Sequence, residues 1–223
     1  MSFIVAMDGP AGTGKGTITS LLSKEMELVN IDTGATYRCV ALYAVKNGIQ
    51  LEEKERIIDS LKDINIDMKN EEGTQKVYLN GEDVTKEIRS KEVTKIVSQI
   101  SSIKEVRFAM VEVQRKLAKG KDVIMEGRDI TTYVFPNANV KIYLDAKEEE
   151  RAKRRYIENQ EKGIEMTYEE VLENIRKRDK NDREKEMGAL KIADDAEYID
   201  TTNLKIEEVK DKVKEIILRK RGK

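Results

Sequence analysis

The stretch Gly9-Pro10-Ala11-Gly12-Thr13-Gly14-Lys15-Gly16-Thr17 constrains this chain more than any other. An apolar run, Phe3-Ile4-Val5-Ala6-Met7, leads into it, and Ile18, Leu21, Leu22 and Met26 follow at helical spacing. The glycines therefore sit at a turn from strand to helix. Glycine lets consecutive backbone N–H groups converge there, the new helix adds its positive N-terminal end, and Lys15 brings a point charge to the same spot. Such a turn is a cradle for phosphates, and Gly9 to Thr17 are its expected ligands. The residue after Lys15 is Gly16, so the hydroxyl that ordinarily binds Mg²⁺ directly arrives only at Thr17. Mg²⁺ readily keeps several waters. It is expected to be held by substrate phosphates and water, with Thr17, Asp32 and Glu126 as candidates acting through water.

A chain of 223 residues can bury one good core and carry a small insertion. Its 42 Lys and Arg against 43 Asp and Glu leave a net charge of −1, so no global charge favours nucleic acid or an anionic membrane. No apolar run approaches membrane-spanning length, and the chain opens directly into a strand. Cys39 has no second cysteine to pair with and lies among helically spaced apolar residues, which fits a core position in a reduced setting. A soluble, cytoplasmic protein is expected. The absence of histidine excludes a Ser-His triad or a His-metal site, and leaves carboxylates, Lys, Tyr or water for any proton transfer.

Along the chain, Leu28-Val29-Asn30-Ile31 is a short strand that ends in Asp32-Thr33-Gly34-Ala35-Thr36-Tyr37-Arg38, with a helix beyond on Val40, Ala41, Ala44 and Val45. Ligands of open α/β sheets collect beyond the carboxyl ends of strands, so this turn should lie beside the first. Arg38 could clamp an acceptor phosphate and Asp32 could orient a Mg²⁺-bound water; alternatively Asp32 and Thr33 only cap the helix and Arg38 faces solvent. A helix is plausible over residues 51–62. The period then changes to alternation at Ile64, Ile66 and Met68, and residues 77–84 read as a hairpin around Asn80-Gly81. Residues 62–90 are therefore taken as a small inserted antiparallel subdomain. Helical spacing returns at Val93, Ile96, Val97 and Ile100, and again from Val106 to Leu117 before Gly120; Ser98 and Arg107, read in isolation, are ordinary surface residues here.

The strand Asp122-Val123-Ile124-Met125 ends in Glu126-Gly127-Arg128-Asp129, two carboxylates flanking an arginine where a site belongs. The strand at residues 140–145 precedes a basic helix in which Arg151, Arg154 and Arg155 share one face. They could close on a triphosphate as arginine fingers, or Glu150 could merely pair with Arg154 on an exposed helix. After Gly163, Thr167 to Glu170 form a capping box, and the polar, aperiodic residues 176–183 read as the mobile return of a lid over residues 151–187. A last strand at 196–200 and a helix on Ile206, Val209, Val213, Ile216 and Ile217 finish the chain, with the basic tail 219–223 expected to fray. Two anion clamps, an arginine-rich lid and an insertion together suggest phosphoryl transfer, which is mostly positioning and charge neutralisation.

At this point a family resemblance emerges. The glycine-rich loop, Asp32-Thr33-Gly34-Ala35 with Tyr37-Arg38, Gly81-Glu82-Asp83-Val84, Gly127-Arg128-Asp129, Val134-Phe135-Pro136, Lys141 to Ala146, Glu150-Arg151-Ala152 with Arg154-Arg155, and Arg178-Asp179 with Asp182 together resemble bacterial cytidylate kinases over nearly the whole chain. The resemblance implies an α/β, P-loop NTPase-type fold: a parallel five-stranded sheet flanked by helices, a small antiparallel β insertion and a helical lid. The core would be residues 1–61, 91–150 and 188–223. It also implies transfer of the ATP γ-phosphoryl group to CMP or dCMP with Mg²⁺, by a monomer. By position, Ser98, Arg107 and Asp129 are similar to the cytosine readers; Thr33, Tyr37, Arg38 and Arg128 to the acceptor-side ligands; Arg178 and Asp182 to the ribose and phosphate contacts; and Lys15, Arg128, Arg151 and Arg155 to the catalytic charge stabilisers. The chain departs from the family pattern at Lys185, usually arginine, at Gly188-Ala189-Leu190, usually Ser-Pro-Leu, and at Thr131-Thr132-Tyr133, usually Gly-Thr-Val. Another small-molecule P-loop kinase is the alternative. A GTP-hydrolysing switch would need an Asn-Lys-x-Asp guanine reader, which follows no strand here.

Overall fold

The computed structural model describes residues 2–71, 74–161 and 163–222. The chain begins with β1 (Ile4–Asp8), α1 (Lys15–Glu25), β2 (Val29–Asp32) and α2 (Thr33–Lys46), then a short α3 (Lys54–Ser60). Next come β3 (Ile66–Glu71), β4 (Thr74–Leu79), β5 (Glu82–Asp83), α4 (Lys91–Ile100) and α5 (Lys104–Ala118). β6 (Val123–Gly127), a π turn at Ile130–Val134, β7 (Val140–Asp145), α6 (Glu148–Glu161), α7 (Tyr168–Glu184), β8 (Glu197–Asp200) and α8 (Ile206–Arg221) complete it.

Five strands form a parallel sheet in the order β2-β6-β1-β7-β8. Side chains of β1 alternate across it: Val5 and Met7 pack with Ile18 and Leu22 of α1 and Val213 and Ile217 of α8, while Ala6 faces Cys39 and Val40 of α2 and Met110 of α5. Each such aliphatic side chain, fully buried, contributes about 1.5–3 kcal/mol. Because β1 lies between β6 and β7, Asp8 is in register with both Gly127 and Tyr143, and Asp32 on β2 is in register with Glu126. The carboxyl ends that carry the glycine-rich loop, Arg128-Asp129 and Asp32 are thereby brought to one edge. β3, β4 and β5 form a separate antiparallel sheet whose Met68, Val77 and Leu79 extend the α2–α5 core. Asn80 and Gly81 both have positive φ, 53° and 88°, as a tight Asn-Gly hairpin turn requires.

Three local expectations change. The helix sought over residues 51–62 is only Lys54–Ser60, continued by a 3-10 turn at Leu61–Asp63. Residues 176–183 are not an irregular return but the second half of α7, which opens on the Thr167–Glu170 capping box. Its buried stripe runs Val171, Ile175, Asp179 and Asp182, so the periodicity is intact but half of it is written in carboxylates. The basic tail is also ordered as far as Arg221: Arg219 pairs with Glu197 at 2.6 Å, and Arg221 pairs with Asp122 at 2.8 Å while lying over the Phe3 ring. The last residue of the chain lies outside the described residues.

Candidate active site

The loop from Gly9 to Gly14 turns on three glycines with positive φ. Gly9 has a second reason to be glycine, since a Cβ there would stand 2.0 Å from the Leu144 carbonyl oxygen of β7. Lys15 opens α1 and is 4% exposed; its Nζ donates to the Gly9 and Pro10 carbonyls at 2.8 and 2.7 Å and to Thr13 Oγ1 at 3.3 Å. The ammonium is thus held in the mouth of its own loop. Burial and then the Arg128 charge lower its pKa. Gly16 and Thr17 are exposed on the first turn of α1.

Beside the loop, Asp32 caps α2 by accepting from the Ala35 N–H at 3.2 Å and pairs with Arg89 at 3.1 Å. Glu126 lies in register with it, and burial followed by the Asp32 charge raises the Glu126 pKa. Thr33 is buried and donates its hydroxyl to the Glu126 carbonyl at 2.6 Å, which ties α2 to β6. Arg38 is half-buried rather than free in solvent. Its Nη1 donates to the Ile88 carbonyl and to Thr94 Oγ1, both at 3.0 Å, and its pKa is lowered by desolvation, with Arg89 and Arg155 adding to the effect.

The π turn after β6 places Arg128 and Asp129. Arg128 Nε donates to Asp182 Oδ2 of α7 at 2.7 Å and its Nη1 to the Gly127 carbonyl at 3.1 Å. Asp129 is 4% exposed and pairs with Arg107, itself 3% exposed, through Arg107 Nη2. Burial raises the Asp129 pKa against the opposing pull of Arg107. The Tyr37 ring lies 5.4 Å under the Arg107 guanidinium, and on the other side a Cβ at Gly188 would stand 2.0 Å from Arg107 Nη2. Buried Ser98 Oγ and Arg107 Nε have no hydrogen-bond partner, while Tyr37 Oη lies beside the Gln114 amide. Buried polar groups are nearly always paired, so unpaired ones call for a ligand or water.

α7 supplies Arg178 and Asp182. Arg178 is open to solvent yet crowded by protein, and this desolvation, followed by repulsion from Arg128, takes its pKa down to about 10. Burial opposes the charge on Asp182, but Arg128, Lys185 and Arg178 outweigh it and hold the carboxyl well below its usual range. On α6 the three arginines diverge. Arg155 pairs with Glu158 at 2.8 Å and adds to the positive field on Arg38 and Arg178. Arg154 donates to the Thr201 carbonyl at 2.6 Å, and Arg151 is 1% exposed against the glycine-rich loop. The shared helix face therefore turns inward at two of its three positions.

Two residues were not legible as part of this site. Asp8 is 0% exposed and accepts from Ile130 N at 2.9 Å, Thr131 N at 2.7 Å and Thr131 Oγ1 at 2.6 Å, joining the start of the glycine-rich loop to the turn that carries Arg128 and Asp129. Lys185 donates to Asp182 Oδ1 at 2.9 Å and to Ser101 Oγ at 3.1 Å. Its position was visible only as a departure from a family pattern; Asp8 carried no signal beyond being a carboxylate at a strand end.

Comparisons with known proteins agree with this geometry. The family model described as cytidylate kinase matches residues 5–219. The chain is 49% identical over 212 residues to the cytidylate kinase of Caldicellulosiruptor bescii, covering 95% of this chain and 94% of that protein, and 50% identical with the same coverage to that of Caldicellulosiruptor saccharolyticus. An uncharacterized protein from Eubacterium ventriosum shares the fold with a TM-score of 0.53 at 11% identity, over 98% of this chain and 99% of that one. The fold and the sequence relationships define a P-loop kinase of the nucleoside monophosphate class. Within that class the chain belongs to the cytidylate kinase family.

Proposed function

We propose that the chain transfers the γ-phosphoryl group of ATP to CMP or dCMP, giving ADP and CDP or dCDP. The observation that carries this reading is the buried Arg107–Asp129 pair with Ser98 Oγ and Arg107 Nε left unpartnered beside it. A cytosine edge presents one amine donor beside two acceptors. Asp129 accepts from the amine, and Arg107 with Ser98 supplies donors to the acceptors. Uracil replaces that amine with a carbonyl, which would face a carboxylate, so UMP is disfavoured.

Lys15 and the loop amides hold the donor phosphates, while Arg38, Arg128, Arg178 and Arg155 concentrate positive charge where the acceptor phosphate and the transferring group meet. The acceptor is a phosphate oxygen already ionised at neutral pH, so no general base is needed and a chain without histidine loses nothing. Residues 62–90 serve as the acceptor-side insertion and residues 151–187 as the lid that brings Arg178 over the cleft. Among the described residues no cluster of three or more potential ligands could hold a metal. The Asp32–Glu126 carboxylates beside Lys15 fit the role of holding metal-bound water, and Mg²⁺ would supply further neutralisation of phosphate charge. A single copy of the chain, a monomer, is proposed as the acting unit. The single buried cysteine suits a reducing cytoplasm, and no described helix is long and apolar enough to cross a membrane.

The test is ADP formation from MgATP with CMP, dCMP, UMP, AMP, GMP or no acceptor. CMP and dCMP should turn over strongly and UMP poorly, and Asp129→Ala should lower kcat/KM for CMP by about 10- to 150-fold, the value of a hydrogen bond to a charged group, with little change for UMP. Equal rates with CMP and UMP in the unaltered enzyme would refute the base-reading roles.

A further inference from the structure

α6 lies directly on the glycine-rich loop. A Cβ at Gly12 would stand 3.0 Å from Arg151 Cβ and 3.1 Å from the Arg151 carbonyl oxygen. The Arg151 side chain follows the same surface: Nε donates to the Ala146 carbonyl at 2.9 Å and Nη1 to the Ala11 carbonyl of the loop at 3.2 Å. That Nη1 is also 2.7 Å from Asp179 Oδ2 on α7, both side chains being 2–3% exposed. Neither carboxylate oxygen of Asp179 has a well-formed hydrogen bond besides this charge contact. Desolvating two charges with so little hydrogen bonding is a poor way to stabilise a fold, and an apolar pair of the same volume would do at least as well. The arrangement therefore points to a role other than stability.

The position of Asp179 on α7 suggests what that role is. Arg178 precedes it and reaches the cleft, and Asp182, one turn on, grips Arg128 and Lys185 on the acceptor side. α7 is thus fastened at Asp182 to acceptor-side groups and at Asp179, through Arg151, to the backbone of the donor loop. We propose that the Arg151–Asp179 pair couples the two nucleotide sites, so that seating α7 over a bound acceptor fixes the loop for its donor. Arg151 is then a positioning residue. It acts through the Ala11 carbonyl and does not touch phosphate, unlike the arginine finger that its helix spacing suggested or the charge stabiliser that the family resemblance implied. The inference rests on the kinase reading above, since it needs a donor in the loop and an acceptor beside Arg128.

Coupling between sites is a reciprocal quantity that binding alone can measure. The experiment is calorimetric titration of the full chain with ADP and with CMP, each alone and with the other at saturation, an unreactive pairing. In the unaltered protein each nucleotide should tighten the other by about 5-fold or more, the lower end of ordinary coupling. In Asp179→Asn that factor should fall to within about 2-fold of one while CMP alone binds within about 3-fold of its original affinity, and Asp179→Glu should restore part of the factor. Because Asp179→Asn leaves Arg151 buried without a counter-charge, the double variant Arg151→Met with Asp179→Leu serves as the folded control and should show the same loss. A folded variant that keeps the original coupling overturns the proposal, as does a loss confined to ADP affinity, which would mean that Arg151 contacts phosphate directly. If the unaltered protein bound neither nucleotide, the kinase reading itself would fall first.

Discussion

The buried carboxyl of Asp8 makes a pH signature that can be worked out in advance. Burial raises its pKa from 3.8 to about 6, against three hydrogen bonds from Ile130 and Thr131 that favour the charged form. A carboxyl whose folded pKa lies above its unfolded value binds more protons in the native state, so its contribution is complete below pH 3.8 and declines as pH rises to about 6. The whole span of about 2 units corresponds to about 3 kcal/mol, and about 2 kcal/mol of it falls between pH 4.5 and pH 7. Asp8→Asn removes the titration and forces an amide N–H₂ toward backbone and hydroxyl donors, at a cost of about 1–3 kcal/mol independent of pH. Urea unfolding of both proteins at half-unit steps from pH 4.5 to pH 7.5 should show the unaltered protein ahead at the acid end. Its lead should shrink by about 2 kcal/mol on the way to pH 7. A lead that stayed constant or grew with pH would refute the reasoning: the three hydrogen bonds would then outweigh desolvation and keep Asp8 ionised throughout.

Three further outcomes follow from the geometry. Gly9→Ala places a Cβ 2.0 Å from the Leu144 carbonyl at a φ of 146°, so the loop must shift, and ADP affinity measured by calorimetry should fall at least about 10-fold with a loss of about 1–3 kcal/mol in urea unfolding. Ile124→Ala empties a fully buried position on β6 facing the α1–α8 layer and should cost about 3–4 kcal/mol in urea unfolding, with nucleotide affinity retained in the folded fraction. Gly16→Ala brings a Cβ within 2.8 Å of Glu126 Oε1, and its effect on the Mg²⁺ concentration for half-maximal turnover should not add to that of Glu126→Gln, because one displaces and the other neutralises the same carboxylate.

What could be read directly from the chain was local. The glycine-rich loop and the Asn80-Gly81 hairpin depend on backbone angles that few residues tolerate, so the residues announce them. The buried face of α5 was harder to read. Beside its apolar stripe runs a second one, Arg107, Val111 and Gln114, in which two of three residues are polar, and in isolation Arg107 passes for a surface residue. The same holds for Asp179 and Asp182 on α7. Hydrophobic periodicity cannot register a buried polar face, because its partners, Asp129 for Arg107 and Arg128 for Asp182, are supplied by elements 22 and 54 residues away. The direction of the α6 arginines escaped for a related reason: spacing puts them on one face but does not say which element that face meets.

Gly16 shows how a departure in one motif is answered elsewhere in the fold. Its φ is not positive, so backbone conformation alone does not demand glycine there. The Glu126 carboxylate reaches over the Gly16 Cα, so a Cβ there would stand 2.8 Å from Oε1 and the tip of that side chain would have to move. Where α1 offers no hydroxyl at this position, a carboxylate reaches in from β6. Glu126 lies near both Lys15 and Asp32, and the Asp32 charge adds to burial in raising its pKa while Lys15 works the other way. A carboxyl so balanced gains most when more positive charge arrives beside it, which is what a metal-bound nucleotide would bring. The loop and the two strand ends beside it thus act as one electrostatic unit, with the charge that completes it carried in by the substrate.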